Sequence, residues 1–363
     1  MTQPILSRRE WLALSAATTA LATAPGAVGQ TAAARARLSL NENAWGPSAR
    51  VAPAIARAAS GIERYVDQSE VDALTRQIAA IERVDPAQVV LGEVLEPLGL
   101  FLARQRPGGG EIVYSAPGYT ALIDSAAPLG GRGVPVPLDA NLENDLPALT
   151  RAITDRTLAV SLVNPHNPSG TANETQALHR FIEAAAQRTL VVVDEAYLEY
   201  DAFAEKTAIP HVRAGRNVLV FRTLAKIYGL AGLSIGYAVA PRALAEGLRA
   251  AGIGSPHSLS RLALAAASKA LADQAHVRTV RRATLAERDK LNRLIDQRGW
   301  PRTDSRANFV FFKPPQAAQL RDRLRADGID IARPFPPLTD WLRITIGRPQ
   351  ENARVLAILR RWR

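Results

Sequence analysis

The sequence predicts an α/β fold: a large domain with a mostly parallel sheet sandwiched by helices, plus a smaller α+β C-terminal domain. Three observations carry this. Leu158–Val163 and Leu190–Asp194 are short, continuous apolar runs of the kind that form strands buried on both faces. Between them, Glu174–Arg188 places Leu178, Phe181, Ile182 and Ala185 on one helical face. After about Pro241 the strand–helix alternation gives way to long helical patterns.

Taken in order, the chain opens with Ser7-Arg8-Arg9-Glu10-Trp11-Leu12 and an apolar, small-residue stretch to about Ala24. A charged start ahead of a modest apolar segment reads as an export signal. The paired arginines resemble the twin-arginine type, which implies a periplasmic protein that folds before export. An amphipathic N-terminal helix is the other reading. The expected organisation is an export signal over 1–30, an N-terminal arm over 31–64, a large domain over 65–245 and a small domain over 246–363. Strands are expected at Val89–Leu91, Ile112–Tyr114, Val134–Pro137, Leu158–Val163, Leu190–Asp194, Val218–Phe221 and Ile235–Ala240. Beyond Pro241, helices are expected over Ala243–Arg298, Ala317–Asp327 and Gln350–Arg361, with strands at Asn308–Phe312 and Trp341–Ile346.

Composition narrows the chemistry. The 363 residues include no cysteine, which removes disulfides, thiol catalysis and thiolate metal sites. The five histidines (His166, His179, His211, His257, His276) form no pair at metal-ligand helical spacing, and no metal is expected. The net charge is +11, yet only five of the 45 cationic residues are lysines, and the arginines are scattered. No basic run is interleaved with aromatics, so nucleic acid is not the expected partner. No glycine-rich dinucleotide fingerprint follows a strand, and no nucleotide P-loop is present.

Five segments carry candidate chemistry, four of them directly after predicted strands, where open α/β sheets bind ligands. Asn164-Pro165-His166-Asn167-Pro168-Ser169-Gly170 is a rigid loop that can present the Asn167 amide to a ring oxygen; ordinary turns share this composition. Asp194 ends an apolar run, where a carboxylate needs a cationic partner, with Tyr197 three residues on; a helix cap is the alternative. Lys226 lies in the apolar, glycine-rich stretch Thr223–Gly232, a setting that favours a nucleophilic amine. Tyr119, in Pro117-Gly118-Tyr119, can stack on a planar ligand or simply pack. Arg343, inside Trp341–Gly347, calls for a substrate carboxylate or an internal ion pair.

The order and spacing of these segments resemble the fold-type I pyridoxal-phosphate aminotransferases (class I/II), most closely the histidinol-phosphate aminotransferase-like group. The resemblance runs from Leu40-Asn41-Glu42-Asn43 to Arg343-Ile344-Thr345-Ile346-Gly347. It implies that Lys226 holds pyridoxal 5'-phosphate as a Schiff base and that Asp194 pairs with the pyridine nitrogen. Asn167 and Tyr197 would contact the ring hydroxyl, and Tyr119 would stack on the ring. Thr223 and the backbone around Glu93 and Val94 would hold the phosphate. Tyr65 would reach the phosphate of a partner subunit, implying a homodimer. Asn43 and Arg343 would bind substrate. The reaction implied is amino transfer between an amino acid, or a histidinol-phosphate-like amine, and a 2-oxo acid. Decarboxylation, racemisation or elimination on the same fold, and a non-catalytic exported binding protein, are the alternatives.

Two positions depart from the family pattern. The family places an arginine eight residues after the lysine, on the cofactor phosphate; here that residue is Ser234. Glu93 puts an acid near the same group, and Arg222, beside Thr223, is the candidate to compensate.

Overall fold

The structure, a computed structural model, describes residues 35–106 and 108–363. The expected export signal lies outside the described residues.

Strand β1 (Ala36–Leu38) opens the described chain. Seven strands then build one sheet: β2 (Val89–Leu91), β3 (Glu111–Ala116), β4 (Arg132–Pro137), β5 (Thr157–Val163), β6 (Leu190–Asp194), β7 (Val218–Thr223) and β8 (Gly236–Val239). Their order is β2-β8-β7-β6-β5-β3-β4, with parallel pairing from β7 through to β4. Only β8 opposes the others, since it is antiparallel to both β7 and β2. The carboxyl ends of β2, β3, β5, β6 and β7 therefore open on one edge of the sheet, which is where the motif-bearing loops begin.

The sheet is apolar on both faces, as the unbroken Val/Leu runs require. Alternate residues feed two different cores. Val160, Leu162, Val191, Val193, Val218 and Val220 pack in one, with helix Thr175–Ala186 contributing Leu178, Phe181, Ile182 and Ala185. Ala159, Val192, Leu219 and Phe221 pack in the other, against Leu98 and Leu102 of helix Leu95–Arg104.

A third core gathers the C-terminal elements. Strands β9 (Phe309–Phe312) and β11 (Leu342–Thr345) pair antiparallel, and β10 (Ile329–Ile331) pairs parallel with β1. Leu38, Leu291, Phe312, Leu320, Ile344 and Val355 share this core. β1 and β10 were not legible in the sequence; each has a charged residue at its centre, Arg37 and Asp330, so neither shows the continuous apolar run that marks the equally short β2. The helical stretch expected over 243–298 resolves into Arg242–Ala250, Arg261–Ala272 and Gln274–Gln297.

Candidate active site

At the carboxyl edge of the sheet lies a cavity of about 840 Å³. It gathers Glu93, Tyr119, Asn167, Asp194, Tyr197, Thr223, Lys226 and Arg343 from segments up to 250 positions apart in the chain (343 minus 93).

Asp194 is the last residue of β6 and is buried. Its carboxylate accepts the Ala196 N–H at 2.9 Å. Burial pushes its pKa up to about 7; the Glu93 carboxylate adds to this, while the Lys226 ammonium and that N–H oppose it. A cation brought into the cavity would relieve that cost. Lys226 follows β7 on a loop, where its Nζ donates to the Leu40 carbonyl at 3.3 Å and lies 6.0 Å from the centre of the Tyr197 ring. Gly229 closes the loop at φ +73°, and a Cβ there would stand 2.6 Å from the Gly46 backbone, so this turn requires glycine.

Tyr197 is buried, and its hydroxyl accepts the Asn41 amide at 2.9 Å. Tyr119 is 46% exposed at the mouth, its phenol pushed up to about 12 by partial burial and by the Asp194 charge. Arg343 is buried on β11, donating to the Ser39 carbonyl at 2.7 Å and to the Asn167 side-chain oxygen. Its guanidinium lies 5.3 Å from the Phe309 ring and 4.9 Å from the Phe335 ring. No described carboxylate pairs with it, and its Nε has no partner. The internal ion pair weighed from the sequence is thus absent among the described residues. A buried, desolvated guanidinium with an open donor is a site for an anion.

Glu93 and Thr223 meet directly, the Thr223 hydroxyl donating to the Glu93 carboxylate at 2.7 Å. Burial raises the Glu93 pKa, and Lys226 opposes the rise. Ser234 lines the same cavity.

Three residues expected at the site stand outside the cavity lining. Val94 is fully buried, its side chain in the apolar core with Leu98 and Leu102 of helix Leu95–Arg104. Asn43 donates to the carbonyls of Ile227 (2.8 Å) and Gly46 (3.2 Å), tying the N-terminal segment to the lysine loop. Tyr65 is 84% exposed, with its ring edge on His257.

The proposed compensation by Arg222 is corrected. Successive residues of a strand face opposite sides, so Arg222 points away from Thr223 and the cavity. It is buried in ion pairs with Glu82 (2.6 Å) and Glu195 (2.8 Å), and its Nη2 also donates to Thr207. Four of its five N–H donors are committed there, on the face of the sheet away from the cavity.

The sequence reading missed Asn41, Arg333 and Phe335, which all line the cavity. Asn41 sits at φ 57°, a left-handed conformation that asparagine tolerates, and is fixed by Thr345 Oγ1 at 3.0 Å.

The profile of aminotransferase class I and II matches residues 36–359. A histidinol-phosphate aminotransferase of Limosilactobacillus fermentum is 35% identical over 334 residues, covering 90% of this chain and 91% of that protein. An aromatic amino acid aminotransferase of Rhodococcus opacus is 34% identical, covering 88% of each. Among solved structures, histidinol-phosphate aminotransferase from Sinorhizobium meliloti in complex with pyridoxal-5'-phosphate superposes with a TM-score of 0.79 at 30% identity, covering 90% of this chain and 91% of that one.

Proposed function

The chain belongs to the aminotransferase class I and II family, and from that premise we propose that it moves an amino group between an amino acid, or a histidinol-phosphate-like amine, and a 2-oxo acid at the cavity around Lys226. The cofactor is pyridoxal 5'-phosphate. The observation that carries this is the meeting of one lysine and one buried, cation-seeking carboxylate, Asp194, in a single cavity.

The residues fit the ring of that cofactor. Asp194 would hold its pyridine nitrogen protonated, and Tyr119 would cover the ring. Asn167 and Tyr197 would take the ring hydroxyl, with Asn41 orienting the Tyr197 phenol. Thr223 and the backbone at Glu93–Val94 would face the phosphate. When bound, the cofactor supplies an electron sink at the substrate α-carbon. Lys226 anchors it and, once released by the incoming amine, moves the α-proton as general base and then acid. Arg343 orients the substrate through its carboxylate; Asn167 and the Ser39 carbonyl fix the guanidinium before substrate arrives.

Tyr65, exposed at the end of the N-terminal arm, suits a role in a partner's site, and a homodimer is part of this reading. So are a large domain over 65–245 and a small domain over 246–363. Export rests on Arg8 and Arg9 and the apolar stretch after them, outside the described residues. No helix of the described residues is long and apolar enough to cross a membrane.

The test is a product assay with pyridoxal phosphate and a panel of amino acids, with histidinol phosphate included. Release of the matching 2-oxo acid (or aldehyde), with amination of added 2-oxoglutarate, supports transamination. Carbon dioxide release, racemised amino acid or an unsaturated product would instead select decarboxylation, racemisation or elimination.

A further inference from the structure

Three segments converge on one corner of the cavity. The Gly92 N–H donates to the Gly236 carbonyl at 2.8 Å, and the Leu224 N–H donates to the Ile235 carbonyl at 3.0 Å. This brings Glu93, Thr223 and Ser234 together, with Glu96 on the first turn of helix Leu95–Arg104 also lining the cavity. The corner therefore holds two carboxylates. Its one hydroxyl on β7, Thr223, already donates to Glu93.

Among the described residues lining the cavity, the cations are Lys226, Arg333 and Arg343. Arg343 and Arg333 both pack on Phe335 (4.9 and 5.2 Å from its ring), and Arg343 is committed to Asn167 and the Ser39 carbonyl. Lys226 is the cation whose charge reaches Glu93, and it is the residue that must join the cofactor aldehyde. Arg222 faces the other side of the sheet, paired with Glu82 and Glu195. A phosphate dianion held by Thr223 would meet two like charges and no fixed guanidinium. A neutral hydroxymethyl group would meet a hydrogen-bond acceptor, Glu93, for its O–H.

We propose that this corner selects against a dianion, so that the chain binds phosphate-free pyridoxal at least as tightly as pyridoxal phosphate. This rests on the reading of Lys226 as the cofactor lysine. Pyridoxal keeps the aldehyde, and its condensation with the Lys226 amine releases one water, with no further reactant needed. Glu93 and Ser234 are then the residues that set which form of the vitamin the site retains, and the phosphorylated form is held loosely and exchanges.

The experiment titrates cofactor-stripped protein with pyridoxal and, separately, with pyridoxal phosphate. Binding is read from the visible absorbance band and from the rise in Tm. Glu93→Gln and Ser234→Arg are measured beside the wild type. Ser234 is exposed, at φ 46°, so a longer side chain meets no core there. Wild-type dissociation constants equal within about threefold, or lower for pyridoxal, are expected. Each variant should tighten pyridoxal phosphate by roughly ten- to hundredfold, the range for one charge-assisted pair, and Ser234→Arg should leave pyridoxal nearly unchanged. Wild-type protein that prefers pyridoxal phosphate by more than about threefold, or a phosphate affinity indifferent to both variants, overturns the proposal. Absence of any band with either compound, at saturation, overturns the cofactor reading itself and this inference with it.

Discussion

Substituting Asp194→Asn probes the electrostatics of the site without any ligand. In the folded chain the carboxyl titrates at about 7, against an ordinary value of 3.8, because burial strips its water and one backbone N–H repays only part of that. The folded state thus binds the proton more tightly than the unfolded chain does. Stability from this group is fully present below pH 3.8 and is lost as the pH rises to about 7. At about 1.4 kcal/mol per pH unit, the cost is roughly 2 kcal/mol at pH 5 and roughly 4 kcal/mol at pH 8. Asparagine has the same shape, carries no charge and can keep the Ala196 bond. Urea unfolding of cofactor-free protein should therefore show the variant gaining about 2–3 kcal/mol on the wild type between pH 5 and pH 8. Any fixed cost of the amide cancels in that difference. A stability gap that does not change with pH would refute the idea that Asp194 is an uncompensated carboxylate waiting for a cation. Cofactor at pH 8 should reverse the ranking, because a protonated ring nitrogen rewards only the aspartate.

Three further outcomes follow from the geometry. Arg343→Lys keeps the charge but loses the fork held between Asn167 and the Ser39 carbonyl; kcat/KM for carboxylate-bearing donors should fall by roughly ten- to hundredfold, checked by steady-state kinetics. Arg222→Met leaves Glu82 and Glu195 buried without their cation; chemical denaturation should show a loss of about 3–5 kcal/mol, far more than a surface ion pair would cost. Asn41→Ala frees the Tyr197 hydroxyl; the urea midpoint should fall by the equivalent of about 1–3 kcal/mol, through a left-handed residue and its buried partners.

The centre of the large sheet was legible because β5 and β6 are continuous apolar runs, and a strand buried on both faces needs no alternation to be seen. The helix over Thr175–Ala186 was legible for the complementary reason, its apolar stripe at helical spacing. Strands β1 and β10 were not, since they pair with each other from opposite ends of the chain over three residues. At the site, Asp194, Lys226 and Asn167 could be read because each ends or follows a strand in a parallel sheet, which fixes the edge it faces. Arg222 could not be placed by adjacency to Thr223: alternation along β7 sends the two side chains to opposite faces, and only the partners Glu82 and Glu195 reveal which. Arg333 and Phe335 reach the cavity from an irregular segment, where no period predicts direction.

The most direct measurement is the absorbance spectrum of the purified protein with pyridoxal phosphate, recorded beside Lys226→Ala. A visible band in the wild type, lost without the lysine amine and bleached by an amino-acid donor, is the predicted result. A wild-type spectrum equal to that of Lys226→Ala at saturating cofactor would contradict the assignment of this cavity as a transaminase site.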